Sequence, residues 1–489
     1  MNRRDALQAV AVGSLGLLRP YRGISWPEIG APSRGQDSEI LIRGGRVVNA
    51  DGARDADVRI IGDMIAEIGS DLGPGADARV IDAGGRLVMP GGIDPHTHLS
   101  GSFVDDFTSG SVAALAGGIT TLGTFAYPRR QENALEAIDR YEETVRSSAI
   151  ADIILHASTW PPTPEFVALM PRLAERGQPS LKIFMTSRNF NEHLAETIEL
   201  LEAARDAGVV TMIHCEDGGI LRAVARQLEA AGKTSLRYYG ESRPVAAEVA
   251  ATQQAVSLCK VTGAPMHVVH LSAAAALQAC RNPRTEGLPL FVETRPLYLH
   301  LTEERLQGPD GPLYVGQPPL RTAADANALW QGLADGSIDI LATDHAPWTR
   351  EQKLDPELSI TRLRPGINNL QFMLPMYFSE GVGKGRISLE RFVETTSTKA
   401  ARIFGLFPQK GVIREGSYAD VVVWDPERTT VIRDADVLSR AAHTVYDGWS
   451  VTGWPDITIR RGEVVFEAGE VNGRPGSGRL LTRAPWRSE

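Results

Sequence analysis

Short apolar runs of strand length punctuate the middle of the chain at a steady interval. They occur at Leu87–Ile93, Ile119–Ala126, Asp152–His156, Ser180–Met185, Val210–His214, Met266–His270, Leu290–Glu293 and Ile338–Ala342. Most of the gaps between them carry apolar residues at helical spacing, as in Ala134–Ser147 and His193–Ala207. Strand–helix alternation repeated eight times predicts an α/β fold, a closed parallel (β/α)8 TIM barrel over residues 89–404. An open, doubly wound sheet shares the alternation, and the placement of the polar residues decides against it.

The ends of the chain have a different texture. Glu39–Val48, Asp57–Ile68 and Ala78–Val88 are strand-like and separated by Gly-Gly and Asp-Gly turns. The pattern returns at Asp420–Trp424 and Asp456–Ala468, the latter broken by Arg460-Arg461-Gly462. These stretches predict a small β-sandwich domain formed from both terminal segments, residues 38–88 and 405–470, followed by a C-terminal tail over 471–489. Ahead of them, Arg3-Arg4 precedes an apolar run from Ala9 to Leu18, and residues 19–37 are rich in Pro, Gly and Ser. A twin arginine before a modest apolar stretch resembles a Tat export signal with a linker. A periplasmic or exported protein is the expectation, with a cytoplasmic one as the alternative. The run is too short to span a bilayer.

Composition narrows the function. The 489 residues carry a net charge of -9, which offers nucleic acid or an anionic membrane no electrostatic partner. The three cysteines, Cys215, Cys259 and Cys280, have no paired spacing and read as buried apolar thiols.

Polar residues that are expensive to bury stand at or near the C-terminal ends of the central runs, where barrel active sites lie. The first run leads into His96-Thr97-His98, the fourth contains Lys182, the fifth ends at His214, the sixth at His270, and Asp344 follows the eighth. The two-residue period of a strand puts His96 and His98 on one side, where both imidazoles can bind one cation such as Zn²⁺. His214 and His270, from neighbouring strands, can hold a second. Asp344 can ligate and still accept a proton. Lys182 is costly in an apolar strand unless paired or modified, and a carbamate formed from its amine and CO₂ would be anionic and able to bridge two metals. His345 is expected to support the site from behind. His156, His193, His267, His300 and His443 are expected to be structural, with His267 facing away from His270 by parity.

Pro90-Gly91-Gly92-Ile93-Asp94-Pro95-His96-Thr97-His98 resembles the opening motif of the amidohydrolase superfamily. Asp105-Asp106-Phe107, Ser242-Arg243-Pro244, Val268-Val269-His270, Gln317-Pro318-Pro319-Leu320-Arg321 and Asp344-His345-Ala346-Pro347 resemble its dihydropyrimidinase and D-hydantoinase branch. The likeness extends from Glu39 to Arg483. It implies a binuclear zinc centre with His96, His98, a carboxylated Lys182, His214, His270 and Asp344 as ligands. It also implies a homotetramer that opens dihydropyrimidines or 5-substituted hydantoins to N-carbamoyl amino acids. Metal-activated hydroxide would attack the ring carbonyl, and Asp344 would carry its proton to the leaving nitrogen. Allantoinase- and dihydroorotase-like amide hydrolysis are the alternatives. They fit less well, because no Glu-Pro-Gly follows the histidine pair and Ser100 stands where dihydroorotases place an arginine. A non-catalytic scaffold would be expected to have lost ligands, and none is missing.

The substrate end departs from the family. Ser187 occupies the position of a tyrosine that donates to the substrate carbonyl. Gln317 stands where a serine is usual, and Arg362 where an asparagine is usual; both are backbone contacts in the family. Ser187 is therefore expected to widen the pocket, with Arg362 or Arg364 meeting a polar or anionic group. Phe103, Phe184 and Phe190 are the expected apolar wall.

Overall fold

The computed structural model describes residues 38–99, 101–158 and 161–488. The Tat-like leader and linker expected over residues 1–37, and Ser100, lie outside them.

Two sheets organise the chain. The first opens with β1 (Glu39–Asn49), β2 (Gly52–Ile61), β3 (Met64–Gly69), β4 (Arg79–Asp82) and β5 (Leu87–Pro90). The second consists of β6 (Gly92–Thr97), β7 (Ile119–Ala126), β8 (Asp152–Ser158), β9 (Ser180–Phe184), β10 (Val210–His214), β11 (Met266–Val268), β12 (Leu290–Thr294) and β13 (Ile340–Leu341). The chain then rejoins the first sheet with β14 (Val421–Val431), β15 (Ser450–Arg460), β16 (Glu463–Glu467) and β17 (Glu470–Val471).

In the first sheet β5 lies between β1 and β14, parallel to one and antiparallel to the other, so the two ends of the chain meet there. Ile40, Ile42, Val58 and Ile60 from one end and Val421, Val423 and Ile459 from the other close over a shared apolar core. This is the β-sandwich domain expected from the two strand-rich ends.

The second sheet is the barrel. Its eight strands follow sequence order, each parallel to the next. The ring closes where Thr97 bridges His345 in parallel and the His98 N–H donates to the His345 carbonyl at 2.7 Å. Ile93, Phe125, Ile154, Met212, Val269 and Ile340 fill its interior with a layer of apolar side chains. The chain after β17 runs along the barrel: Leu480 pairs with Ile153, and the Trp486 N–H reaches the Gly208 carbonyl at 2.8 Å.

Some apolar runs divide differently from their expected extents. Leu87–Ile93 is two strands: Leu87–Pro90 belongs to the first sheet and the barrel begins at Gly92. Gly91 makes the change of sheet, and a Cβ there would come within 2.3 Å of Thr120 Oγ1. Asp57–Ile68 likewise breaks at Gly62-Asp63 into the β2–β3 hairpin. β11 stops two residues before His270.

A buried ion network joins the barrel to the other sheet. Lys410 Nζ lies 2.8 Å from Asp152, which begins β8, and 2.7 Å from Asp420, which precedes β14. Arg461, in the turn between β15 and β16, reaches Asp152 at 3.0 Å. Removing the central cation leaves buried carboxylates facing each other, a loss of about 3 kcal/mol or more. Lys410→Met is therefore expected to lower the thermal unfolding midpoint clearly. An unchanged midpoint would contradict a structural role for the network.

Candidate metal centre

The centre grows out of the ends of the barrel strands. His96 and His98 project from the end of β6, their ring centroids 5.7 Å apart. Both turn Nε2 toward one oxygen, Asp344 Oδ1, at 3.2 Å for His96 and 2.9 Å for His98. The ligand atoms of these three residues lie within 4.8 Å of one another, a separation one cation can bridge. A second convergence stands beside it: His214 Nδ1 and His270 Nε2 face each other at 2.9 Å. The His96 and His270 rings are 5.4 Å apart, so the two groups adjoin.

Lys182 lies between them. Its Nζ is 5.3 Å from the centroid of Phe125, whose ring packs on His96 and His98. It is 5.2 Å from the centroid of Phe184, whose ring packs on His214. The amine is buried and has no hydrogen-bond partner among the described residues. A buried ammonium without an acceptor is costly, and burial pushes its pKa down to about 8.

Electrostatics favour donor forms at four of the other five positions, His98, His214, His270 and Asp344. Burial lowers the pKa of His98 and His214, and burial together with His214 lowers that of His270 well below the usual imidazole value. These rings are neutral near pH 7 and offer lone pairs. His96 is raised, because Glu293 and Asp344 outweigh its burial. Burial alone would raise Asp344, but Arg295 and His96 hold it well below the usual carboxylate range.

Three of the inner groups, His96, His214 and Asp344, are held from behind. His96 Nδ1 meets Glu293 Oε1 at 2.7 Å, and Glu293 Oε2 meets His267 Nε2 at 2.9 Å. His214 Nε2 meets Glu216 Oε2 at 2.9 Å, and Glu216 accepts from Arg243 Nε at 2.9 Å. In both histidines the carboxylate takes one ring nitrogen and the other faces the centre, which is how outer groups set the tautomer of a metal-ligating imidazole. Arg295, fully buried, places Nη1 3.0 Å from Asp344 Oδ2 and Nε 3.1 Å from the Thr343 carbonyl. His270 and Asp344 have φ of +41° and +46°, a conformation costly for non-glycine residues and often found at functional sites. His345 acts through its backbone at the barrel seam, while its ring Nε2 meets Asp105 Oδ2 at 2.9 Å.

The candidate substrate contacts divide. Phe103 packs on His98 at 5.3 Å and on Trp348 at 5.2 Å, and Phe184 lines the His214 side at 5.9 Å. Ser187 is half-buried in the turn after β9, its N–H on the Phe184 carbonyl. Phe190, three residues after Ser187, is buried. Gln317 is half-buried in a pinned loop described below. Arg362 is exposed: its side chain pairs with Glu357 at 2.6 Å, and its backbone N–H and carbonyl both bond Ser359. Arg364 instead stacks over Trp348 at 5.1 Å, behind Phe103.

Sequence reasoning assigned no role to Glu293, Arg295 or Glu216. Period-two spacing could have found all three. Glu293 and Arg295 stand at the end of an apolar strand as Asp344 does, and Glu216 follows His214 by two residues.

The amidohydrolase family model matches residues 87–465. A D-hydantoinase of Ralstonia pickettii is 35% identical over 458 residues, covering 92% of this chain and all of the relative. A D-phenylhydantoinase of Escherichia coli O1:K1 is 34% identical over 91% of this chain and 98% of its own. The crystal structure of a dihydropyrimidinase from Brevibacillus agri superposes with a TM-score of 0.88 at 34% identity, covering 92% of this chain and 100% of that one. The chain belongs to the amidohydrolase family, in its dihydropyrimidinase and hydantoinase branch.

Losing the Glu293 charge should weaken the hold on His96. Glu293→Gln is expected to lower metal affinity about 10–100-fold in chelator competition. Affinity equal to that of the unsubstituted protein would show that Glu293 does not serve the centre.

Proposed function

We propose that the protein hydrolyses cyclic amides, dihydropyrimidines or 5-substituted hydantoins, to N-carbamoyl amino acids at a binuclear zinc centre. The observation that carries the reading is the amine of Lys182, buried without a partner among the described residues between two convergent sets of donors. The residues fit two cations. His96, His98 and Asp344 would hold one, His214 and His270 the other, and Lys182 as its carbamate would bridge them. Nitrogen and carboxylate donors of this kind suit Zn²⁺. A lysine whose pKa is lowered to about 8 supplies the neutral amine that adds to CO₂, releasing one proton and leaving an anionic carbamate.

Bound zinc would polarise the ring carbonyl and make water acidic enough to attack near neutral pH. The chain's own groups do the rest. Asp344, kept ionised beside Arg295, takes a proton from the attacking water and returns it to the ring nitrogen as the C–N bond breaks. Water thus supplies OH to the carbonyl carbon and H to the nitrogen. Arg295 restrains the Asp344 carboxylate, so that the proton is taken and given from one position. Phe103 and Phe184 form the apolar wall that receives the substituent of the ring. Ser187 leaves more room there than a tyrosine would.

The names of the relatives support the substrate class, and the coverage of both chains supports carrying it across. The test is a panel of dihydrouracil, 5-substituted hydantoins, allantoin, dihydroorotate and N-acyl amino acids on zinc-loaded protein. Turnover is expected with the first two, lost on chelation and restored by zinc. Preference for allantoin or dihydroorotate, or activity that survives complete metal removal, would overturn the reading.

A further inference from the structure

Lys353 closes a four-residue helix, Arg350–Lys353, in the chain that follows Asp344, and its side chain turns inward until it is 2% exposed. An ammonium has three N–H donors. Here each has a carbonyl: Val315 at 2.7 Å, Arg364 at 2.9 Å and Gly366 at 3.0 Å. Among the described residues no carboxylate pairs with its amine; burial, then Arg295, lower its pKa. A cation held in this way acts on backbone, and what it holds is two separate loops.

One loop is Val315–Pro318. The Gly316 carbonyl accepts from Tyr239 Oη at 2.7 Å and the Pro318 carbonyl from Tyr298 Oη at 2.7 Å. With Lys353 on Val315, three of these four carbonyls are pinned by side chains from three different elements. Among the described residues, no hydrogen bond engages the Gln317 N–H or carbonyl. The other loop is Arg364–Gly366. There Lys353 takes the carbonyls of Arg364 and Gly366, Trp348 Nε1 takes that of Pro365 at 2.8 Å, and the Gly366 N–H donates to Val315 at 3.0 Å. The same Trp348 packs on Phe103, which packs on His98. The Gly316 side of the first loop lies against Arg295, the residue paired with Asp344: a Cβ at Gly316 would be 3.2 Å from Arg295 Nη1. Both loops therefore border the metal centre, and Lys353 is the side chain that bonds both.

We propose that Lys353 is a positioning residue for substrate recognition. It fixes the two loops against each other beside Arg295 and Trp348, and so sets the shape of the border that the substrate meets. The inference rests on the cyclic amide reading of the centre. Lys353 does not touch the reacting atoms, so its removal should weaken binding more than it slows chemistry. A displacement of about 1 Å in a positioning element is enough to cost up to about 100-fold.

The test is steady-state hydrolysis of 5-phenylhydantoin and dihydrouracil by the full-length, zinc-loaded protein and its Lys353→Met variant, with zinc content measured on both. KM is expected to rise about tenfold or more, kcat to fall less than threefold, and zinc content to stay the same. Tyr239→Phe removes only the donor to Gly316 and should raise KM about threefold, which keeps the test decisive if Lys353→Met does not fold. Unchanged KM in folded Lys353→Met, or in Tyr239→Phe if the first variant fails, overturns the inference. So does a fall in kcat and zinc content with KM unchanged, which would make Lys353 a scaffold residue only. If the unsubstituted protein hydrolyses neither substrate, the cyclic amide reading falls and takes this inference with it. If it hydrolyses them and the variants keep its KM, only the role of Lys353 falls.

Discussion

The structure depends on lone pairs converging where protons are scarce. His214 and His270 place ring nitrogens 2.9 Å apart, and His96 and His98 crowd one oxygen of Asp344. Burial keeps three of these four rings short of protons. Packing of this kind is unfavourable without something positive at its focus, since imidazole lone pairs repel and the carboxylate has left water. The surrounding charges answer that constraint. Glu293 and Glu216 each hold one ring nitrogen outside, which leaves the other directed inward, and Arg295 balances Asp344 from the far side.

Several motifs acquire physical meaning from this arrangement. Asp94 ties β6 to the eighth strand's end by accepting from the His96 and Thr343 N–H groups at 3.2 Å, so His96 and Asp344 share a support. Arg243 reaches His214 through Glu216. Arg321 accompanies it, donating to the Arg243 carbonyl at 2.7 Å and to Glu248 at 3.0 Å. Asp106 caps the helix Phe107–Ala116, while its neighbour Asp105 holds His345 and, through it, the seam of the barrel. Residues that look like family signatures in sequence are thus mostly supports one or two contacts away from the chemistry.

Much of the centre was legible because strands impose a period of two and barrels gather their strand ends. His96, His98, His214, His270 and Asp344 stood out as polar groups in apolar surroundings, and the structure brings them together. Lys182 stood out for the same reason. The supports were less legible. Glu293 and Arg295 obey the same parity but looked like ordinary ends of a strand. Lys353 gave no signal, since its partners are carbonyls contributed by loops near residues 315 and 365, and backbone acceptors leave no mark in a sequence. Arg362 was hard to read for a related reason: its place in a motif gives a position in a loop, but not that its side chain pairs with Glu357. The run Leu87–Ile93 misled because two successive strands of different sheets are equally apolar.

The proposed function requires Lys182 as a bridge between two metals. The direct measurement is zinc stoichiometry of the full-length protein and of its Lys182→Ala variant, expressed with zinc and CO₂ available. Two zinc ions per chain are expected in the first and no more than one in the variant. Two ions retained without Lys182, or fewer than two with it, would contradict the account.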